Sequence, residues 1–383
     1  MADDGIKRIE VEGFKSLAKK TSIDLRPLTI LAGANSSGKS SIMQPLLLFK
    51  QTLEAPFDPG PLLLNGPHVR FTASEQLLSK PKAKRFSFGI FGQGASLEST
   101  FDQVKGNGLD LLSAHFNSGT DESFVERGQK GAVRNRCFFK PTSLHAASAN
   151  DFLVLMGSAI HIPGLRDHAE RTYAISGVGP AFPGPFDKYT ASIIYSWGKN
   201  TRNLSSDLQH LGLTSGVQAR RLNDVEIELL VSRTEGGKDL VSVADVGLAV
   251  SHVLPVLVGL LVAKPHQLLY IEQPEIHLHP RAQHALAKPF AEAAKRKVTT
   301  VVETHSSLFL LGIQSLIAKG ELDPSLVILH WFDRNPKTGI SSVTSVKPDK
   351  TGVFEDWPVD FDDVSLQANR EFIKASFAKS KSK

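Results

Sequence analysis

Cysteine is nearly absent: Cys137 is the only one in 383 residues. A lone thiol excludes an intramolecular disulfide framework and fits a reducing compartment, so a cytoplasmic location is expected. The opening stretch, MADDGIKRIEVEG, has no basic segment followed by an apolar core, which argues against a secretory signal. Long apolar runs are scarce as well. The one that imitates a membrane span, Val246 to Pro265, contains Ser251, His252 and Pro255 and leads straight into LLYIE. A buried helix is the better reading, and no membrane partner is expected. Neither a heptad run nor an internal repeat is present, which excludes a long coiled-coil arm.

Charge is close to balanced. The net charge of +5 sits largely in KPKAKR (Lys80 to Arg85), KRK (Lys295 to Lys297) and KSKSK (Lys379 to Lys383). DNA is a candidate partner for such clusters. No aromatic residues interleave with them, so solvated loops and a frayed tail account for them at least as well.

What is present reads as an α/β chain. The length fits two compact units, or one large α/β domain carrying an insertion. KRIEVEGF, TSIDLRP and LTILAG (Leu28 to Gly33) read as strands, and SSIMQPLLLFKQTLE reads as a helix with an awkward Pro45. From about residue 70 to 244 the pattern loosens into β-like pieces and Gly/Pro-rich turns such as Ser176 to Asp187. From 245 to 345 helix and strand alternate, which predicts a mostly parallel sheet flanked by helices. The expected division is therefore 1–69, an inserted region 70–244, 245–345, and a C-terminal element with a basic tail, 346–383.

GANSSGKS, Gly33 to Ser40, matches G-x-x-x-x-G-K-[ST] between a strand and a helix, both contexts a phosphate-binding loop requires. Gly33 and Gly38 permit backbone conformations closed to other residues. Successive N–H groups from Ala34, Asn35, Ser36 and Ser37 onward can then converge on phosphate oxygens, at the positive end of a new helix. Lys39 would reach the β- and γ-phosphates, and Ser40, followed by Ser41, would offer its hydroxyl to Mg²⁺.

Three weaker motifs follow. LLYIEQPE is an apolar strand delivering Glu272 to its carboxyl end, where ligands of parallel sheets bind. DVGLAVSHVLP, Asp245 to Pro255, is a turn with Gly247 and Ser251 that opens an apolar helix. VVETHS ends a second apolar strand in Thr304 and His305. From Lys39 to Glu272 is 233 residues, too long for a minimal nucleotide-binding core, so something is inserted between them.

In this order the four motifs resemble those of ABC-type ATPases of the SMC, RecF and OLD group. GANSSGKSS is similar to the Walker A motif, DVGLAVSHVLP to the signature loop, IEQPEIHLHP to Walker B with its D-loop, and ETHS to the switch-histidine loop. GFKSL, LLLNGP (Leu62 to Pro67) and DWPVDFDD add a likeness to small bacterial stand-alone OLD-like ATPases of the AAA family. Relatives in the wider group act in anti-phage defence, Septu- and PARIS-type systems among them, or in DNA repair. The resemblance implies a P-loop head of ABC-ATPase type with an N-terminal β-rich lobe. It further implies ATP and Mg²⁺ held by Gly33 to Ser41, with Glu272 orienting the metal shell and His305 meeting the γ-phosphate. Asp245, Gly247 and Ser251 would close on the nucleotide of a second subunit, so a homodimer or higher homo-oligomer joined through ATP is expected.

One residue departs from that pattern. Relatives place a glutamate after the metal-organising acid, and here Gln273 stands there. An amide can orient a water but cannot take its proton. Phosphoryl transfer tolerates this, because its catalysis is largely positioning and charge stabilisation. A slow ATPase with a long-lived ATP-bound dimer is the expectation, and Glu275 is an alternative acid if Pro274 kinks the strand end.

Other readings stand beside it. A nucleotide-gated scaffold would bind ATP, hold an effector protein and hydrolyse little. A metal-dependent nuclease would need paired acids such as Asp360 to Asp363. No Toprim-like EG turn with a spaced Asp pair appears, so those acids read better as surface or partner-facing. His277 and His279, with Glu275 or His284, are candidate metal ligands, and the loop before a helix starting at Pro280 explains them more simply. Arg166 and Arg171 could reach phosphates or be ordinary surface charges.

Overall fold

The computed structural model describes residues 5–80, 83–104, 108–118, 122–139, 146–234 and 239–354. LTILAG is apolar except for Thr29, whose hydroxyl bonds the Arg26 backbone, because both of its faces are covered. It forms β3 (Leu28–Gly33), every residue of which is buried. Around it lies the central sheet: β10 (Ile160–Ile162), β15 (Leu268–Glu272), β16 (Thr299–Glu303), β3, β17 (Val327–Arg334) and β18 (Ser341–Val346), in that order. All neighbours pair parallel except β17 with β18.

Side chains alternate across a strand, so successive residues feed opposite cores. Ile30, Ile271, Val302 and Leu329 face one core, packed by α5 (Leu248–Val262), α7 (Ala287–Lys295) and α8 (Ser307–Ala318). Leu31, Tyr270, Val301 and Phe332 face the other, packed by α1 (Lys39–Glu54). Beyond α1, the second core is closed by a six-stranded antiparallel sheet. Its strands run β2 (Thr21–Asp24), β1 (Arg8–Glu12), β4 (Arg85–Gly92), β5 (Ala95–Val104), β6 (Gly108–Asn117) and β7 (Glu122–Glu126). This is the β-rich lobe, assembled from both sides of the phosphate-loop segment.

The remaining elements complete the layers. A two-stranded ribbon, β8 (Arg134–Asn135) and β9 (Phe138–Phe139), and α2 (Ala146–Ser158) follow the lobe. A smaller sheet of β11 (Tyr173–Ala174), β13 (Glu226–Ser232), β12 (Gly216–Arg221) and β14 (Leu240–Ser242) packs with α3 (Asp187–Trp197) and α4 (Arg202–His210). The stretch 70–244 therefore contributes to all four sheets, and its β10 lies beside the Glu272 strand. The apolar run after Val246 is α5, whose middle is wholly buried. No helix among the described residues is long and apolar enough to cross a membrane. The longest, α1, has 16 residues and continues through Pro45.

Candidate functional site

β3 and α1 meet in the phosphate loop, and two glycines make the turn. Gly33 has φ 141°, and a Cβ there would lie 2.2 Å from the Phe332 carbonyl oxygen of β17. Gly38, at φ 105°, would press a Cβ to 2.6 Å from Ser16 Oγ. Gly38 precedes α1 without a side-chain cap, so the first N–H groups of the helix are open to an anion. The loop borders a cavity of about 520 Å³ lined by Lys15, Ser36, Lys39, Ser40, Glu303 and Arg334 among others. Lys39 is buried and folded over the loop, its Nζ donating to the carbonyls of Gly33 (3.0 Å) and Ala34 (2.9 Å). Burial holds its ammonium below the usual lysine range, against the attraction of Glu303 and Glu275.

Two carboxylates stand at the carboxyl ends of adjacent strands, Glu272 on β15 directly opposite Glu303 on β16. Ser40 Oγ turns to Glu303 and donates to its two oxygens at 3.0 and 2.8 Å. Tyr270 Oη donates to the same carboxylate at 3.0 Å. Burial raises the Glu303 pKa, and repulsion from Glu272 adds to it.

Glu272 is held from the opposite side. His161 Nε2 lies 3.1 Å from Oε1, and the Gly164 N–H donates to Oε2 at 3.1 Å. Burial opposes its ionisation, yet the contacts from His161, Gly164 and Tyr270 together bring its pKa below the ordinary value. The His161 ring stacks on Tyr270. Its Nδ1 meets His68 Nδ1 at 3.2 Å, and His68 Nε2 meets Glu54 Oε2 at 3.1 Å. Burial lowers the His68 pKa, which favours its neutral imidazole. Lys50 and the Gly184 N–H complete the shell of Glu54.

Gln273 follows Glu272 in the left-handed region, at φ 44°. Its backbone is fixed by Gln273 N donating to the Glu303 carbonyl (2.7 Å) and by Arg166 donating to the Gln273 carbonyl (2.9 Å). Arg166 also donates to the carbonyls of Pro163 and Glu272 and is only 5% exposed. It is thus neither a surface charge nor a free phosphate ligand but a clamp on the strand end. Glu275 Oε1 accepts from Thr304 Oγ1 and from the His305 N–H, both at 2.8 Å, while Oε2 is buried with no partner among the described residues. Burial raises its pKa. His305 is half-buried, and burial followed by the charge of Lys39 lowers its pKa, which favours the neutral imidazole.

The remaining candidates lie apart from this cluster. Gly247 caps α5, Ser251 sits in its first turn with Oγ donating to the Leu248 carbonyl, and Asp245 is paired with Arg171 at 2.7 Å. Among the described residues, no hydrogen bond or ion pair joins these three to Gly33–Ser41. His279 caps α6 (Pro280–Ala285) by accepting from the Arg281 N–H, and the His277 ring packs against His252. No group of histidines, cysteines and acids among the described residues could hold a metal by itself. The DWPVDFDD element, with Asp360 to Asp363, lies outside the described residues.

Comparison with known proteins follows from this geometry. By sequence, residues 5–129 match the family described as "AAA ATPase domain". Residues 144–311 match the family described as "AAA domain, putative AbiEii toxin, Type IV TA system". No curated protein matches the chain by sequence. Among solved structures, it is similar to the SmcHead bound to the C-winged helix domain of ScpA. That likeness has 16% identity and a TM-score of 0.53 over 90% of this chain and 98% of that one. It is similar also to an Smc head domain with an extended coiled coil, bound to the C-terminal domain of ScpA and derived from Pyrococcus furiosus. Identity there is 13% and the TM-score 0.52, over 90% of this chain and 96% of that one. The fold is that of an SMC-type ATPase head. With both sequence matches falling on AAA-type ATPase families, the chain carries a nucleotide-binding ATPase domain. Among the described residues the helices are short, the longest having 16 residues, and none forms a coiled-coil arm.

A magnesium ion fits the residues present. Mg²⁺ takes one or two carboxylates beside substrate phosphates, and Ser40, Glu303 and Glu272 are hard oxygen donors next to the phosphate loop. The motif pattern did not single out Glu303, His161 or His68, and it offered Arg166 only as a phosphate contact or a surface charge. Glu303 carried a signal, since an acid closing the otherwise apolar VTTVVE strand sits where parallel sheets bind ligands. For His161 and Arg166, the segment IHIPGLRDHAERTY resembles a stretch of the same family, but its residues carry no pattern that assigns them a role.

Proposed function

We propose that the chain binds Mg-ATP at Gly33–Ser41 and hydrolyses it slowly, in sites completed between two copies. The supporting observation is that Lys39, Ser40, Glu272, Gln273, Glu275 and His305 converge on one carboxyl edge of a parallel sheet. On this reading the open N–H groups of the loop hold the phosphates and Lys39 leaves its two carbonyls for phosphate oxygens. Magnesium, when bound, would neutralise charge on those oxygens. Ser40 and Glu272 serve its shell, neutral His305 donates to a γ-oxygen, and Gln273 orients the attacking water without taking its proton. The α5 start, with Asp245, Gly247 and Ser251, would face the nucleotide of the other copy. Nucleotide state would be coupled in the cytoplasm to an effector protein or to DNA, in bacterial anti-phage defence or DNA maintenance. The toxin-related description of one matching family is compatible with the first setting.

The deciding experiment is phosphate release from Mg-ATP by wild type, Lys39→Ala and Gln273→Glu. Turnover above the Lys39→Ala background supports an ATPase in its own right. Silence in wild type with activity in Gln273→Glu supports the second reading, a nucleotide-gated scaffold that holds ATP until a partner releases it. That reading is favoured by the amide at 273. Equal background in all three, with no nucleotide bound, overturns both.

A further inference from the structure

The proton of the Ser40 hydroxyl is committed. It points at Glu303, 2.8 Å from one oxygen and 3.0 Å from the other, so the lone pairs of Oγ face away from that carboxylate. The carboxylate itself is 6% exposed and, among the described residues, receives one further bond, from Tyr270 Oη, whose ring stacks on His161. Two neutral hydroxyl donors orient a buried carboxylate but bring no charge, and the attraction of Lys39 is shared between Glu303 and Glu275. Glu272, directly across in the strand register, adds a second negative group, and it is anchored by His161 and Gly164 rather than by Ser40. Glu303 also lines the same cavity as Lys39 and Ser40. A cation seated against the Oγ lone pairs would meet the demands of both carboxylates at once. Of the acids here, Glu275 is engaged by Thr304 and His305 rather than by Ser40.

We propose that Glu303 is the second acid of the magnesium site, fixing the Ser40 hydroxyl for the ion and lending its carboxylate to the ion's shell, one strand away from the amide at Gln273. The inference rests on the nucleotide reading of the site and gives a role to the first residue of ETHS, which the motif pattern left without one. The site is thereby not short of a carboxylate: the acid missing after Glu272 is matched by one placed at the end of β16. Its role lies in binding and positioning the ion, and it is separable from turnover.

The test is the affinity of the full chain for a fluorescent ATP analogue, titrated in EDTA and at a series of free Mg²⁺ concentrations. Wild type should bind more tightly as Mg²⁺ rises, with a definite midpoint. Glu303→Gln should keep the EDTA affinity and move the Mg²⁺ midpoint upward by about 10–100-fold, the usual effect of losing a shell partner of a metal ligand. Ser40→Ala should move it in the same direction, and the double substitution should add little, because both act through one contact. If Glu303→Gln does not fold, Glu303→Asp, which keeps the charge and withdraws it by one methylene, should also raise the midpoint. An unchanged midpoint in the folded Glu303 variant, or fully additive shifts, overturns the inference while leaving the nucleotide site standing. A wild type that binds no nucleotide with or without Mg²⁺ overturns the nucleotide reading itself.

Discussion

Glu275 offers the sharpest separation between holding a loop and doing chemistry. It is 9% exposed, and one oxygen accepts two bonds, from Thr304 Oγ1 and the His305 N–H, while the other oxygen has no partner among the described residues. Glu275→Gln keeps an acceptor with two lone pairs at the same place and removes a buried charge that burial already disfavours. Its stability should therefore stay within about 1 kcal/mol of wild type. Both substitutions remove the same charge beside Arg166, but Glu275→Ala also strands two donors at about 1–3 kcal/mol each, so a loss of roughly 2–6 kcal/mol is expected. Urea unfolding of the three proteins measures both. Turnover should separate the same way: Glu275→Gln within about threefold of wild type, and Glu275→Ala far lower because His305 loses its support. General-base loss would instead cost about 10²–10⁴-fold in Glu275→Gln. A hundredfold loss of turnover in a fully stable Glu275→Gln protein would refute the clamp and make Glu275 the base.

Further outcomes can be checked independently of turnover. Burial raises the Asp207 pKa from 3.8 to about 6, so the native state holds a proton there that the unfolded chain has released. Stability should accordingly fall as pH rises from about 4 to 6 and remain lower above. Asp207→Asn should flatten that slope and raise the melting temperature at pH 7.5, with roughly 3 kcal/mol as a ceiling that partial exposure reduces. Gly312, inside α8, would set a Cβ 2.5 Å from the His284 carbonyl and 2.7 Å from Ala287 Cβ. Gly312→Ala, normally favourable in a helix by about 1 kcal/mol, should here destabilise by about 1–3 kcal/mol; equal or greater stability in denaturant would contradict the packing. The Cys137 thiol is fully buried and pushed up to about 12, so a thiol reagent at pH 8 should label it only after denaturation. Rapid labelling of the native chain would show that this part of the core is open.

The sequence by itself determined what is contiguous. A phosphate loop is one unbroken stretch, so Gly33, Gly38, Lys39 and Ser40 declare their geometry through their neighbours alone. The strands ending at Glu272 and Glu303 and the apolar α5 were equally legible, because burial on both faces leaves an uninterrupted apolar run. Tertiary structure decided which of these ends meet. Ser40 and Glu303 are brought together because β16 lies beside β3, a strand order no local periodicity encodes. His161 reaches Glu272 only because β10, from a stretch that reads as an insertion, joins the central sheet next to β15. Likewise the sequence leaves Arg166 open between a phosphate contact and a surface charge, and its carbonyl partners at Glu272 and Gln273, more than a hundred residues away, give it a different role. The physical reason is common to all three. Pattern and propensity act over a few residues of chain, whereas a buried hydrogen bond forms wherever packing brings a donor and an acceptor together.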